Sequence, residues 1–286
     1  MSKISAKTGR VYGWTKDVMD HRDYMFKVTA PVPVPATLDL SLLPNPPIFN
    51  QTTLGSCTSM GIGDAHMYDQ IQQNPTTAFM PSHLFIYFNE RKMEGTIKSD
   101  AGGQIRDGIK SVAAQGVCPE TMWPYNISKF TNTPPAACYT EALKHKALLY
   151  QRVGYLNGSV DQASLQQAVA SMKRTVPLGI PVYASFESAA VAKTGIVPMP
   201  KKGEQLLGGH CIDFYGWVLI KGVLYWKLKN SWGPAWGDKG FFYLPIPYVQ
   251  YMSDAWLIQT VATAAAAKFK PFNINYRRAR ATLALR

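Results

Sequence analysis

The stretch QTTLGSCTSMGIGDAH, residues 51–66, sets one cysteine behind Gly55-Ser56 and at the start of a run with helical periodicity. A buried structural cysteine needs no glycine ahead of it. A nucleophilic thiolate gains from open backbone and from the positive end of a helix dipole. Such a nucleophile also needs a base, a group that orients the base, and donors for the developing oxyanion. Of the five histidines, His66 and His83 fall inside helical patterns, His145 in the charged run TEALKHK and His21 in DHRDY near the N-terminus, where structural or solvated roles suffice. His210 differs, because Gly208-Gly209 precede it and leave one backbone face clear for a substrate, and an apolar strand follows. In LKNSWGPAWGDKGFFYLP, Asn230 can accept the imidazole N–H and fix which ring nitrogen faces the thiol, and Trp232 can shield that bond from water. Gln51 can donate its amide to an oxyanion beside the Cys57 backbone N–H. Alone, each has a bland reading as surface or core; the ordered set GSC, GGH and KNSW is specific.

These groups need elements to hold them. Residues from Cys57 to about 145 carry helical periodicity: Met60, Gly61, Ala65 and Tyr68 follow the cysteine, and PSHLFIYFNERKM begins with helix-start residues. GGQIRDGIKSVAAQG places Ile105, Ile109 and Val112 on one face, with Gly116 as its stop. From about 147 the pattern changes to strands: ALLYQRVGYL, VPLGIPVYASF, HCIDFYGWVLI, VLYWKLKNS and GFFYLPI, with one helix in SLQQAVASMKR. Lys221-Gly222 and Asp238-Lys239-Gly240 sit where hairpins would turn. The expected class is α+β, a helical half followed by a mainly antiparallel β half, so that thiol and imidazole come from opposite halves. Residues 1–50, with APVPVPA and LLPNPP, read as an extended wrap or leader.

Composition limits the alternatives. A chain of 286 residues that is 47% hydrophobic and 17% charged is long and apolar enough to fold around a sizeable core. No 18-residue apolar run is present, which excludes a transmembrane helix. The N-terminus lacks the apolar core of a signal peptide, so an intracellular setting is expected, cytoplasmic or, for a viral protein, within the virion. Cys57, Cys118, Cys138 and Cys211 show no CxxC spacing, which argues against a zinc ribbon or redox pair; the thiols are expected free, and no metal or cofactor is called for. The net charge of +12 is concentrated: the last nineteen residues, KFKPFNINYRRARATLALR, hold six basic residues and no acid. That tail, after the alanine run VATAAAA, could bind nucleic acid, an acidic partner or a membrane surface, or be a solvated end.

Together these segments resemble the papain-like (C1-type) cysteine peptidases, and most closely the branch found in bacteria, archaea and large DNA viruses. Gln51, Cys57, His210 and Asn230 stand in that family's order, and the likeness runs from about residue 12 to 260. The resemblance implies two lobes with a peptide-binding cleft between them, a helical lobe over about 57–145 and a β lobe over about 146–262, within a peptidase domain spanning 51–262. An N-terminal extension, 1–50, and a basic tail, 263–286, would flank it. It implies that Gly102-Gly103 pair with substrate backbone, and that Gly209 and Cys211 line an apolar pocket for the side chain two residues before the cut, with Trp232 also at the site. The family signature C-G-[SA]-C-[WY] reads Leu54-Gly55-Ser56-Cys57-Thr58 here, lacking one half-cystine and an aromatic. Two further readings stay open: a papain-fold protein that binds peptides without cutting them, and a nucleic-acid or packaging role for the tail. Residues 1–50 would be either an inhibitory leader across the cleft or a permanent wrap.

Overall fold

Helix formation begins at the thiol. In the computed structural model, which describes residues 3–28, 31–146, 149–154 and 159–260, α1 (Cys57–Gln73) starts on Cys57 itself. The N-cap Ser56 makes no capping bond; its hydroxyl meets the Tyr125 hydroxyl at 2.5 Å instead. The first-turn amides of α1 are therefore left without a side-chain cap beside the sulfur. From Cys57 to His66 every residue of α1 is buried, because the helix is packed by α2 (His83–Glu94) and α3 (Ile105–Gln115) on one side and by the β lobe on the other. A helix enclosed in this way shows little amphipathicity, and its polar residues must find partners inside. In α2 the Ser82 hydroxyl accepts from the Phe85 amide at 3.1 Å, and Gly95 ends the helix in the left-handed conformation at φ 75°. The first connecting helix, α4 (Ala136–Ala142), closes the helical half.

The second half is built on one long strand. Strands β1 (Lys3–Ile4), β2 (Val11–Tyr12), β3 (Leu38–Asp39), β4 (Leu149–Arg152) and β5 (Val176–Tyr183) precede β6 (Leu206–Ile220), and β7 (Val223–Lys229), β8 (Phe241–Pro245) and β9 (Trp256–Gln259) follow it. The first part of β6 pairs antiparallel with β5, placing Ile180 opposite His210; the second pairs with β7 and with β3. Lys221 (φ 50°) and Gly222 (φ 79°) make the β6–β7 turn the sequence predicts. Helices α5 (Gln162–Met172) and α6 (Ala189–Thr194) complete the lobe. One apolar core fills this sheet, including Leu178, Ile180, Phe214, Trp217 and Trp226. A second surrounds α1 with Ile62, Phe85, Ile105 and Ile109, and it takes in Cys57 and Cys211. The α+β order read from the sequence is the order observed. The four cysteines are free. No helix of the described residues is long and apolar enough to cross a membrane. The alanine run and the basic tail, with the nucleic-acid reading attached to it, lie outside the described residues.

The N-terminal residues are not merely extended. β1 and β2 pair across a turn at Gly9 (φ 67°), residues 12–15 cross the front of α1, and β3 joins the edge of the β6 sheet. A buried charge cluster fastens the stretch after the crossing. The Arg152 guanidinium donates to Asp17 at 2.7 Å, Asp254 at 3.0 Å and Asp23 at 3.2 Å, while Arg106 pairs with Asp23 at 2.5 Å and the Trp256 indole donates to Asp17 at 2.8 Å. None of the charged side chains in this cluster is more than 6% exposed. Removing one member of such a network strands its partners without water. Arg152→Met should therefore destabilise the protein by about 3 kcal/mol, measured by urea denaturation; a change within about 0.5 kcal/mol would mean that water replaces the guanidinium at no cost.

Candidate active site

β6 and α1 bring the two candidate catalytic groups to the same buried seam. The His210 ring is fully buried, and its Nε2 is 2.8 Å from the Asn230 side-chain oxygen. That oxygen also accepts the Ser231 amide at 2.8 Å, so both the carboxamide and the imidazole have a fixed orientation. Trp232 stacks on the imidazole at a centroid distance of 5.2 Å and an interplanar angle of 29°, covering the bond as its position in KNSW suggests. The remaining ring nitrogen, Nδ1, is buried and has no hydrogen-bond partner. Cys57 is fully buried at the start of α1, and the backbone amides of Cys211, Gly13 and Thr58 lie by its sulfur, each favouring the thiolate. The nitrogen left to face the thiol makes no hydrogen bond to it in this form; the Gly13 amide, from the N-terminal stretch, lies by the sulfur instead.

Gln51 is drawn into the same site. Its amide nitrogen donates to the Leu54 carbonyl at 2.9 Å and reaches the Val11 carbonyl at 3.4 Å, while its oxygen accepts the Ser231 hydroxyl at 2.7 Å. The oxyanion donor inferred from spacing therefore meets a carbonyl oxygen of the chain's own N-terminal stretch. Gly102-Gly103 pair with backbone too: Gly103 donates to the Gly13 carbonyl at 2.8 Å and accepts the Thr15 amide at 3.0 Å. The Trp14 amide donates to the Gly209 carbonyl at 3.1 Å. A Cβ on Gly209 or Gly179 would fall 2.6 Å or 2.1 Å from the Trp14 indole, so both glycines form the floor on which that side chain lies. Cys211 is placed differently from its expected pocket-lining role. Its sulfur packs where a Cβ on Gly61 of α1 would come within 2.9 Å, and its contribution to the thiol is its backbone N–H.

Residues 44–251 match the model for papain family cysteine proteases. The chain belongs to the papain family of cysteine proteases. It is 37% identical to an uncharacterized peptidase C1-like protein of Acanthamoeba polyphaga mimivirus, over 93% of this chain and 92% of that one. It is 26% identical to cathepsin B of Dictyostelium discoideum over 68% of this chain and 63% of the other. Its fold superimposes on the crystal structure of xylellain, a cysteine protease from Xylella fastidiosa, with a TM-score of 0.79 at 31% identity, covering 91% of this chain and 98% of that one. A papain-family member is a peptide-bond hydrolase, so the thiol at the head of α1 belongs to a peptidase.

Three features of this papain-family site were not read from the sequence. Glu90 of α2 is fully buried and accepts the Thr58 hydroxyl at 2.5 Å. A Cβ on Gly103 or Gly108 would fall 2.7 Å or 2.6 Å from its carboxyl oxygens. Thr58 and Glu90 together thus fill space behind Cys57, where the family signature has an aromatic. Burial pushes the Glu90 carboxyl well above the ordinary glutamate range. Gly179 was hidden inside an apolar strand, where an isolated glycine is a signal of close backbone approach. Glu187 had no local signal at all.

The stretch lying over the site changes its electrostatics. Burial pushes the Cys57 thiol up to about 12, against the opposing pull of the Cys211 and Gly13 amides. Burial likewise lowers His210 to about 4, although its bond to Asn230 opposes the shift. A raised thiol and a depressed imidazole both favour the neutral species at pH 7, so the covered pair rests as thiol and imidazole. Iodoacetamide should accordingly alkylate Cys57 of the intact chain at least ~10-fold more slowly than free cysteine at pH 8, because only thiolate reacts. Peptide mass mapping over time reads the rate. Reaction as fast as free cysteine would mean that the thiolate is already formed under the N-terminal stretch.

Proposed function

We propose that this papain-family peptidase works through a Cys57–His210–Asn230 acyl-transfer mechanism, with Gln51 as an oxyanion donor, and that its N-terminal stretch holds the cleft until displaced. The observation that carries the catalytic assignment is the division of labour on the imidazole: Nε2 is committed to Asn230, which leaves Nδ1, otherwise unpartnered, as the nitrogen for the thiol. With the cleft open to water and substrate, burial no longer suppresses charge, and proton transfer from sulfur to Nδ1 gives a thiolate beside an imidazolium. The uncapped amides at the head of α1 stabilise that negative charge.

The thiolate then attacks the carbonyl carbon, and the oxyanion is held by the Gln51 amide and the Cys57 backbone N–H. Imidazolium protonates the departing amine, leaving a thioester on Cys57; neutral His210 next takes a proton from water, whose oxygen attacks the thioester and regenerates the thiol. Throughout, Asn230 keeps the ring in one orientation and Trp232 keeps water from their bond. No metal or cofactor enters these steps. The alternative of a catalytically silent peptide-binding protein would leave the complete set of Gln51, Cys57, His210 and Asn230 without a purpose.

The inhibitory reading of the N-terminus is supported by the positions that residues 11–15 occupy. Val11 offers a carbonyl to Gln51, Gly13 an amide to the sulfur, and residues 13–15 pair with Gly103 in parallel, while the Trp14 side chain fills the floor over Gly179 and Gly209. A peptide substrate needs the same positions, so the two compete. Expected outcomes follow for hydrolysis of a fluorogenic peptide. Cys57→Ala abolishes turnover with the fold intact, and unchanged hydrolysis by that variant would refute the assignment. Asn230→Ala lowers kcat less severely. Trp14→Ala, which loosens the seat by about 2–3 kcal/mol, raises the rate of the full chain by roughly 10-fold or more; an unaltered rate would mark the stretch as a permanent wrap compatible with turnover.

A further inference from the structure

The N-terminal stretch fills a second pocket, across the thiol from Trp14, and its chemistry is different. Tyr12 is 2% exposed. Its ring lies edge-on to the His210 imidazole at 6.1 Å and to Trp232 at 6.2 Å, and its Cβ comes within 2.6 Å of where a Cβ on Gly208 would be. At the far end its hydroxyl donates to the Glu187 carboxylate at 2.5 Å. The same carboxylate accepts the Ser5 hydroxyl at 2.7 Å and the Thr8 hydroxyl at 2.8 Å. Among the described residues, the side-chain donors to the Glu187 carboxylate thus belong to residues 5–12. The N-terminal stretch also brings two cations: the Arg10 guanidinium lies 4.2 Å over the Trp232 ring, and the Lys7 ammonium donates to the Glu187 backbone carbonyl at 3.0 Å.

Displacing this stretch leaves an acid at the end of an aromatic-walled slot with all of those donors gone. The departing amine takes its proton from His210, so the residues after the scissile bond lie on the side where Tyr12 packs against the imidazole. We infer that Glu187 and Trp232 form a subsite that selects arginine or lysine in the first two positions after the cut. This rests on the peptidase reading above and specifies its substrate class. A guanidinium or ammonium would replace three neutral hydroxyl donors by charge-assisted bonds to the carboxylate, and would lie on the indole face that Arg10 already uses. An acidic side chain there would meet like charge. Tyrosine, the occupant in the covered form, is the intermediate case, since it reaches the carboxylate with a neutral donor.

The test uses internally quenched peptides identical before the cut and carrying Arg, Lys, Tyr, Gln or Glu in the two positions after it. They are assayed with the full chain and with its Trp14→Ala form. Expected is a kcat/KM at least tenfold higher for Arg or Lys than for Gln or Glu, narrowing to less than threefold in Glu187→Gln, which keeps the shape and the hydroxyl partners but removes the charge. Glu187→Lys should reverse the order in favour of the Glu peptides. Turnover with no preference for the cations, with Tyr alone preferred, or with the same ratio in Glu187→Gln would overturn the inference and leave the peptidase assignment standing. Absence of turnover in both forms of the chain would remove the two together.

Discussion

Three separate pieces of backbone converge on one sulfur atom. Thr58 supplies an amide from the head of α1, Cys211 one from β6 of the opposite lobe, and Gly13 one from the N-terminal stretch. The first two are fixed by the fold, since they belong to the helix and strand whose packing joins the lobes. The third is not, because it arrives on a segment whose own secondary structure is two short strands and a turn. That asymmetry organises the molecule. The first two contacts build a place where negative charge on sulfur can be stabilised; in the function we propose, the third occupies that place until displaced and excludes the water that charge separation requires.

The covered state is held firmly at both sides of the crossing yet carries a cost at its centre. Glu187 secures residues 5–12, and the Arg152 cluster secures Asp17 and Asp23. Between these anchors the imidazole Nδ1 and the Trp14 indole N–H are both buried with no hydrogen-bond partner. Each such group costs about 1–3 kcal/mol, and both penalties end when the stretch lifts away. The anchors and these penalties oppose one another, as the proposed competition between residues 11–15 and a peptide substrate requires.

Much of this was legible in the residues. GSC, GGH and KNSW pointed to the three residues we propose as nucleophile, base and orienter, because each proposed role demands a residue type with a conspicuous neighbour: glycine where backbone must be open, tryptophan where a polar bond must be shielded. Ser82 and Gly116 marked helix ends by local rules that need no tertiary information. The missing pieces all depend on contacts distant in sequence. Glu187 is a single acid after a strand, and only the folded chain brings Ser5, Thr8 and Tyr12 to it. Cys211 alternates with His210 along β6, so its side chain points to α1 while its amide serves the thiol, a consequence of strand pleating that adjacency in sequence conceals. Thr58 looked like a lost aromatic until Glu90 appeared behind it.

Whether the N-terminal stretch and a substrate exclude each other can be measured directly by hydrogen exchange with and without a peptidyl epoxide bound to Cys57. In the free chain the amides of Trp14 and Thr15, bonded to Gly209 and to Gly103, and that of Gly13, buried by the thiol, should be protected. In the epoxide-modified protein, residues 10–16 should exchange within seconds while α1 and β6 keep their protection. Continued protection of residues 10–16 after modification, or their rapid exchange before it, would contradict the account.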